Sequence, residues 1–296
     1  MIPLVCVILV NYNGYRDTRE CVDSLKKCNY SNIKIIIVDN ASAHGAVQYD
    51  DIITHDICRI VSLKENVGFA GGNNVGLEYA RQYNPDYYLV LNNDTVVTKN
   101  FIQPLLKCFD IDTNIGIATG KILSYYEKDT VWYGGSYYDA ELGEHKIRGI
   151  GEKDSDLYNR NQQVDFATGC LWLIPHRAFE TIGKMSEDYF LYYEDADYCT
   201  RVRQSGYSIY YVPESVIFHK ESKSTGKGSN LYQYYNNRNY LLYIKRHHQK
   251  NRLIFYVKRA IRMTKGVIKG NMKLGIAVRV WKDFFLSRFG QSNIPL

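Results

Sequence analysis

Three acidic positions in this 296-residue sequence stand where chemistry is simplest to build. Asp39 closes the apolar run IKIIIVD, Asp94 closes YYLVLNND, and Glu194, Asp195 and Asp197 follow the aromatic segment YFLYY. A carboxylate at the end of a buried run can hold a divalent cation, which together with a substrate's phosphates neutralises a departing diphosphate. A second carboxylate, on the side from which a hydroxyl arrives, can take its proton. Asp94, flanked by Asn92 and Asn93, suits the first role; Asp195, at the start of a predicted helix, suits the second. His219 ends a short apolar run just before a polar segment, and its imidazole can complete the cation's shell. Each residue also has a plainer role. Asp39 can end a strand, Asp94 can cap the next helix, Asp195 and Asp197 can sit as first-turn acids, and His219 can be a satisfied interior histidine.

A glycine-rich segment, NVGFAGGNN (residues 66–74), has the makeup of a phosphate-cradling turn. It lacks the lysine and hydroxyl of a nucleotide-hydrolase loop, and the first strand does not lead into GxGxxG, so neither an NTPase nor a dinucleotide oxidoreductase fits.

The elements that must position these residues follow from hydrophobic patterning. LVCVILVNYNG reads as a buried parallel strand followed by a loop, and Thr18, Cys21, Val22 and Leu25 lie at helical spacing within 17–27. Strands are predicted over 33–39, 58–63 and 87–91, with a helix over 75–82 after the glycine-rich turn and another over 101–109. This alternation predicts an α/β fold of Rossmann-like type with a mostly parallel sheet, whose ligands bind beyond the carboxyl ends of the strands. Asp39 and Asn92-Asn93-Asp94 fall at those ends. From 115 to 160 the pattern shortens to an antiparallel or looped insertion. Beyond it come a strand at 171–174, a helix from about 177, a helix over 195–204, short strands at 208–212 and 216–219, and a polar loop, ESKSTGKGS, at 221–229. Helices are predicted over 232–248 and from 252 to about 288. The expected division is a catalytic unit over 1–230 (donor half 1–115, acceptor half 116–230) and a basic amphipathic helical region over 231–296.

Charge separates the same two parts. From Lys245 onward there are 13 Lys and Arg against the single acid Asp283, whereas the first 244 residues carry 24 basic and 30 acidic side chains. Anionic lipid, a phosphate-bearing acceptor and nucleic acid are the partners such a tail selects. Its aromatics are embedded among aliphatics rather than set out as stacking platforms, so nucleic acid is not expected. The seven cysteines include no CxxC and form an odd, widely spaced set, which points to a reducing compartment. The N-terminus has neither a basic segment nor an apolar run of signal-peptide or membrane-span length, and a cytoplasmic protein is expected.

Taken jointly, VILVNYNG, IIIVDNAS, ENVGFAGGNNVGL, YYLVLNNDT, FATGCLWLIPHRAFETIG, YFLYYEDADYCTRVRQSGY and RNYLLYIKRH resemble the family 2 glycosyltransferases of GT-A fold, in particular the rhamnosyltransferase-like branch. The resemblance runs from about residue 4 to 246. It implies a metal-dependent, inverting transfer from a nucleotide-diphosphate sugar, dTDP-rhamnose or a UDP-hexose, to a glycan or polyprenyl-diphosphate-linked acceptor. It places Asn11, Asp39, Asn66 and the segment Gly68 to Asn73, with Gly71, around the nucleotide. Asn93 and Asp94 fall on the family's Asp-x-Asp, of which only the last position is acidic here, with Mg2+ or Mn2+ as the ion. Asp195, beside Glu194, matches the general base. Arg201 and Arg203 are implied to order the base or an acceptor phosphate, His219 to contact metal or diphosphate, and Arg238 to steady the polar loop. Cell-surface polysaccharide synthesis at the inner face of the cytoplasmic membrane is the setting implied; the oligomeric state is left open. The rival readings are a sugar nucleotidyltransferase, for which Arg16 is the sole nearby base after strand one, and a non-catalytic scaffold or nucleic-acid binder using the tail.

Overall fold

A computed structural model describes residues 2–44, 49, 52, 57–221 and 228–292. The first four long strands are β1 (Val5–Asn11), β2 (Ile33–Asp39), β3 (Cys58–Ser62) and β4 (Tyr87–Leu91). They lie parallel in the order β4-β1-β2-β3. Their residues are apolar almost without interruption because helices cover both faces. The chain goes one way from β1 to β2 and the other way to β4, so a crevice opens between the ends of β1 and β4, where such folds bind ligands.

Two helices flank this half. Helix α1 (Tyr15–Lys26) buries Thr18, Cys21, Val22 and Leu25, the stripe expected from sequence. Helix α2 begins at Gly68 and runs to Ala80, so the glycine-rich segment is not a turn leading into a helix at 75; it is the helix's own first half. A Cβ at Gly72 would lie 2.7 Å from Val10 Cγ1, and one at Gly76 only 2.4 Å from Ile8 Cγ2. These glycines let a helix lie directly on β1 and β2, which offsets their poor helix propensity.

The second half continues the sheet with mixed direction. After β5 (Thr95–Val97) and helix α3 (Ile102–Ile111) comes β6 (Ile115–Ser124), a ten-residue strand of the main sheet rather than the start of an insertion. The short strand β7 (Val131–Tyr133) pairs with β6, and β8 (Ser136–Asp139) with β9 (Glu144–Ile147) makes a separate hairpin, as the looped-insertion reading expected. Strand β10 (Gln162–Val164) forms the far edge, and β11 (Leu171–Pro175) runs antiparallel between β4 and β6. Helices α4 (His176–Ile182) and α5 (Glu194–Gln204) follow. The two short strands expected at 208–219 are one strand, β12 (Ser208–His219), irregular between Val212 and Val216. The full order is β10-β12-β6-β11-β4-β1-β2-β3, with β5 on β12 and β7 on β6.

The polar loop at 221–229 lies, for residues 222–227, outside the described residues. Helix α6 (Asn230–His247) begins with Ser229, whose Oγ accepts from Tyr232 N–H. Its run from Tyr234 to Ile244 is mostly buried and joins the core of the sheet. The region expected to be helical from 252 to 288 is a pair, α7 (Arg252–Ile268) and α8 (Leu274–Phe285), separated at Gly270 with φ +73°. Among the described residues no helix is long and apolar enough to cross a membrane.

Candidate active site

Strand register brings the first polar group together. Asn11 and Asp39 are register partners at the ends of β1 and β2. Asn11 Oδ1 accepts from Gly14 N–H (3.0 Å), Thr18 Oγ1 (2.9 Å) and Asn93 Nδ2 (3.1 Å), while its Nδ2 donates to Ser42 Oγ (3.0 Å) and to Tyr49 Oη. Asp39 accepts from Ser42 N–H (2.8 Å) and Tyr49 Oη (2.7 Å). Asn66 Oδ1 takes Gly68 N–H (2.9 Å) and Asn40 Nδ2 (3.0 Å), which fixes the entry to α2. Asn73 is buried, with its amide on the Phe69 carbonyl one turn back; a Cβ at Gly71 would meet Val67.

Pairing of β12 with β5 supplies the second group. His219 is the partner of Thr95, and Lys220 N–H donates to the Asp94 carbonyl (3.0 Å), although 125 residues separate Asp94 from His219. Asp94 Oδ1 and His219 Nε2 are 3.1 Å apart, and Asn92 Nδ2 lies 3.5 Å from the same nitrogen. The Trp132 ring stands edge-on to the imidazole at 4.4 Å. His219 Nδ1 is buried with no hydrogen-bond partner among the described residues. Lys220 donates to Asp17 (2.7 Å) and Glu20 (2.6 Å). Burial opposes its charge, but these two acids push its pKa up to about 12 and hold the ammonium between them.

A metal ion fits this pair in a restricted sense. A carboxylate oxygen and an imidazole nitrogen 3.1 Å apart are donors that Mn2+ accepts, and Mg2+ accepts the carboxylate. Among the described residues no cluster of three or more His, Cys, Asp or Glu could hold an ion, so the protein offers two such donors and leaves the other positions to water or a ligand's oxygens.

The third group opens α5. Tyr192 and Tyr193 both have left-handed backbones (φ +70° and +73°), which cost a bulky L-residue about 1–2 kcal/mol each. Asn239 of α6 holds them there: its amide donates to the carbonyls of Leu191 and Tyr192, both at 2.9 Å. Its Oδ1 in turn accepts from Arg238 Nε (3.0 Å) and Nη2 (2.9 Å). The strained pair turns the chain so that Glu194 and Asp195 start α5 beside the loop before β11. Asp195 is half-buried; its carboxylate accepts from Ala196 N–H (2.8 Å) and Gly169 N–H (3.4 Å). Burial pushes its pKa up to about 6, against the pull of those amides. Burial, and then the Asp195 charge, raise Glu194 well above the usual carboxylate range, and its Oε2 has no partner among the described residues.

One short segment joins the second and third groups. Gly169 donates to Asp195, while the carbonyl of the next residue, Cys170, accepts from Asn92 N–H (3.0 Å). A relay of contacts through Asn40, Asn92 and the Gly169-Cys170 segment thus links Asn11, Asp39, Asn66, Asn93, Asp94 and His219 near the strand ends to Asp195 at the start of α5. Two arginines lie apart from it. Arg201 binds Asp197 (2.9 Å) and the carbonyls of Ile182 and Lys184 (3.0 and 2.9 Å). Arg238 is fully buried between Tyr234 and Tyr235, with its guanidinium shared between Asn239 and the Gly290 carbonyl (2.9 Å); the loop residues 222–227 it was expected to steady lie outside the described residues. Arg203 approaches Asp165 at 3.5 Å. Asn40, Ser42, Tyr49, Lys220 and Asn239 escaped the sequence reading. Asn40 and Lys220 adjoin residues it singled out, whereas Asn239 carries no local signal because its partners lie 47 and 48 residues away.

Comparison with known proteins adds to this geometry. Residues 6–183 match the sequence model described as Glycosyl transferase family 2. The chain is 27% identical over 244 residues to a low-salt glycan biosynthesis hexosyltransferase of Haloferax volcanii, covering 79% of this chain and 73% of that one. It is 23% identical over 257 residues to a dTDP-rhamnosyl transferase of Shigella flexneri (82% and 81%). With the N-acetylglucosaminyl-diphospho-decaprenol L-rhamnosyltransferase of Mycobacterium tuberculosis it shares 22% over 247 residues (77% and 79%). Among solved structures, GalNAc-T7 with UDP, GalNAc and Mn2+ superposes with a TM-score of 0.68 at 15% identity, covering 97% of this chain, which spans 58% of that one. A mannosyltransferase of Pyrobaculum calidifontis in complex with GDP-Man and Mn2+ gives 0.57 at 15% identity (98% and 81%). The fold is GT-A, with a helical C-terminal region added.

Proposed function

Because the chain belongs to glycosyl transferase family 2, we propose that it moves a sugar with inversion from a nucleotide-diphosphate donor to a glycan or lipid-linked glycan acceptor. The observation that carries this reading is the relay of contacts. Asp195 accepts from Gly169, and Asn92, which approaches the imidazole of the 3.1 Å Asp94–His219 pair, donates to the adjacent Cys170 carbonyl. A single displacement needs such parts, anchorage for a leaving diphosphate at one end and a base at the other.

Asp195 takes the proton of the acceptor hydroxyl as its oxygen attacks the anomeric carbon. The bond from that carbon to the diphosphate oxygen breaks, and the electron pair leaves with the nucleotide. No covalent enzyme intermediate forms. Asp94 and His219 would hold Mg2+ or Mn2+, which when bound supplies positive charge to the leaving diphosphate. Asn11, Asp39 and Asn66 line the crevice where the nucleotide base and ribose bind, and residues 116–230 face the acceptor.

Rhamnose from its dTDP donor is the leading sugar, supported by the Shigella and Mycobacterium relatives, with UDP-hexoses next. The Mycobacterium relative also supports a polyprenyl-diphosphate-linked acceptor, and cell-surface polysaccharide synthesis is the setting we propose for it. The basic 231–296 region then rests on the anionic inner face of the cytoplasmic membrane. A panel of nucleotide sugars, scored for nucleoside-diphosphate release with and without chelator, tests the reading. Release from one donor above all others, lost with chelator, is expected. No release from any donor at any metal concentration would overturn it.

A further inference from the structure

A cavity of about 420 Å3 lies between α7 and the turn joining β8 to β9, away from the Asp94–His219 pair. Lys258, Arg259, Arg262 and Lys265 of α7 line it, with Tyr240 of α6 behind them and Glu141 and Glu144 across from them. Its acids do not balance its cations. Glu144 Oε1 alone serves both Arg262 (2.8 Å) and Arg259 (3.3 Å), and Lys258 donates to the neutral Glu141 carbonyl (2.8 Å) while the largely exposed Glu141 carboxylate stands off at 3.6 Å.

Arg259 is the unusual member. It is 5% exposed, its guanidinium lies 3.7 Å from the Tyr240 ring centre, and its Nε has no acceptor among the described residues. A desolvated guanidinium with a spare donor, ringed by three more cations, is a site short of an anion. Arg259 also donates to Tyr193 Oη (3.1 Å), the left-handed residue directly before Glu194 and Asp195. The cavity is thus one side chain away from the turn that aims the proposed base.

The cavity opens beside an apolar face. Leu253, Ile254, Val257, Ile261 and Ile268 of α7 are each at least half exposed, at spacings that place them along one side of the helix. Ile261 belongs both to that side and to the cavity wall. On α8, Leu274, Val278 and Phe285 are exposed as well. Exposed aliphatics interleaved with lysine and arginine suit the boundary between headgroups and acyl chains of an anionic bilayer.

We propose that this cavity is the subsite for the phosphate groups of a lipid-linked acceptor, presented by a bilayer on which the α7–α8 face lies. This deepens the function proposed above and rests on it for the acceptor's role, though not for the binding itself. The test compares flotation of the full chain with phosphatidylcholine vesicles carrying a polyprenyl diphosphate and with vesicles of matched surface charge carrying phosphatidylglycerol. Wild-type protein is expected to prefer the diphosphate vesicles by about tenfold, the return of one charge-assisted hydrogen bond, and soluble pyrophosphate should erase the preference.

Arg262→Ala with Lys265→Ala should bring the ratio close to one. Lys273→Ala with Lys282→Ala, exposed lysines just before and within α8, should weaken binding to both vesicle types and keep the ratio. Lys265→Glu, at an exposed position, repeats the first result with a single change. Equal affinity of the wild type for both vesicle types, or an equal fall of the ratio in both double variants, would overturn the subsite. Donor hydrolysis by the wild type without lipid, measured in parallel, reports on the proposed function separately: a silent donor assay beside an intact vesicle preference would remove the transferase reading and leave the anion site.

Discussion

Replacing Asp195 by Asn removes the proposed base while altering little else. Asn keeps a carbonyl oxygen for Ala196 N–H, the shorter of the two bonds Asp195 accepts (2.8 Å), and gives up only the 3.4 Å approach of Gly169. A positioned general base contributes about 10²–10⁴ in rate, so turnover should fall by about that factor while donor affinity stays within about twofold. The wild-type profile should show an acid limb centred near pH 6, because burial raises Asp195 to about 6, and at pH 5 about one tenth of the carboxylates are ionised. The same burial appears in stability. The folded pKa exceeds the unfolded value, so the group's contribution is complete below about pH 4 and is lost as the pH rises through about 6. From 3.8 to about 6 the difference is of the order of 3 kcal/mol. Denaturant titrations at pH 4 and 7.5 should therefore show the wild type losing more stability than Asp195→Asn over that interval, by a difference on the order of 3 kcal/mol, because the asparagine neither titrates nor supplies the charge that raises Glu194. Nucleoside-diphosphate release, with transfer to acceptor, is the kinetic assay. Activity of the Asn variant within about tenfold of wild type, or an acid limb left in place by the substitution, would refute the assignment of Asp195.

Asp94→Ala and His219→Ala each remove one half of the 3.1 Å pair, and both should weaken metal-dependent donor binding at least about tenfold in calorimetry; affinities identical with and without chelator would contradict the metal role. Asn239→Leu removes both bonds that hold the left-handed tyrosines and leaves Arg238 short of an acceptor, so kcat should fall at least about tenfold with donor affinity kept and stability lowered by about 2–4 kcal/mol. If only stability changes, with kcat intact in the folded fraction, Asn239 does not position the base. Gly76→Ala places a methyl 2.4 Å from Ile8 Cγ2, which is fixed in a central strand, so thermal unfolding should show a net loss of about 1–2 kcal/mol despite alanine's better helix propensity.

Much of this molecule was legible in its residues because local pattern and burial coincide. Strands β1, β2 and β4 are apolar runs interrupted before their ends only by Lys34, so those ends, and with them Asp39 and Asn92-Asn93-Asp94, could be placed without coordinates. The parallel α/β class, the helical tail and its charge followed from periodicity and composition alone. The glycine-rich segment misled for a physical reason. Composition marks glycine as a turn residue, yet here the missing Cβ serves helix-to-sheet contact, which depends on the strands beneath. Likewise, the antiparallel look of residues 115–124 concealed a long strand of the central sheet, since edge and centre are properties of neighbours.

Types and order of the acidic groups are one-dimensional information, and the sequence by itself determined which carboxylates could act. Their convergence was decided only in three dimensions: β12 pairing with β5 sets His219 beside Asp94, and an asparagine on α6 holds two tyrosines in a left-handed turn that delivers Asp195 to the same loop. Hydrogen bonds between residues 47 to 125 positions apart leave no periodic trace in the chain, because each partner is chosen by where the backbone returns rather than by what lies next to it.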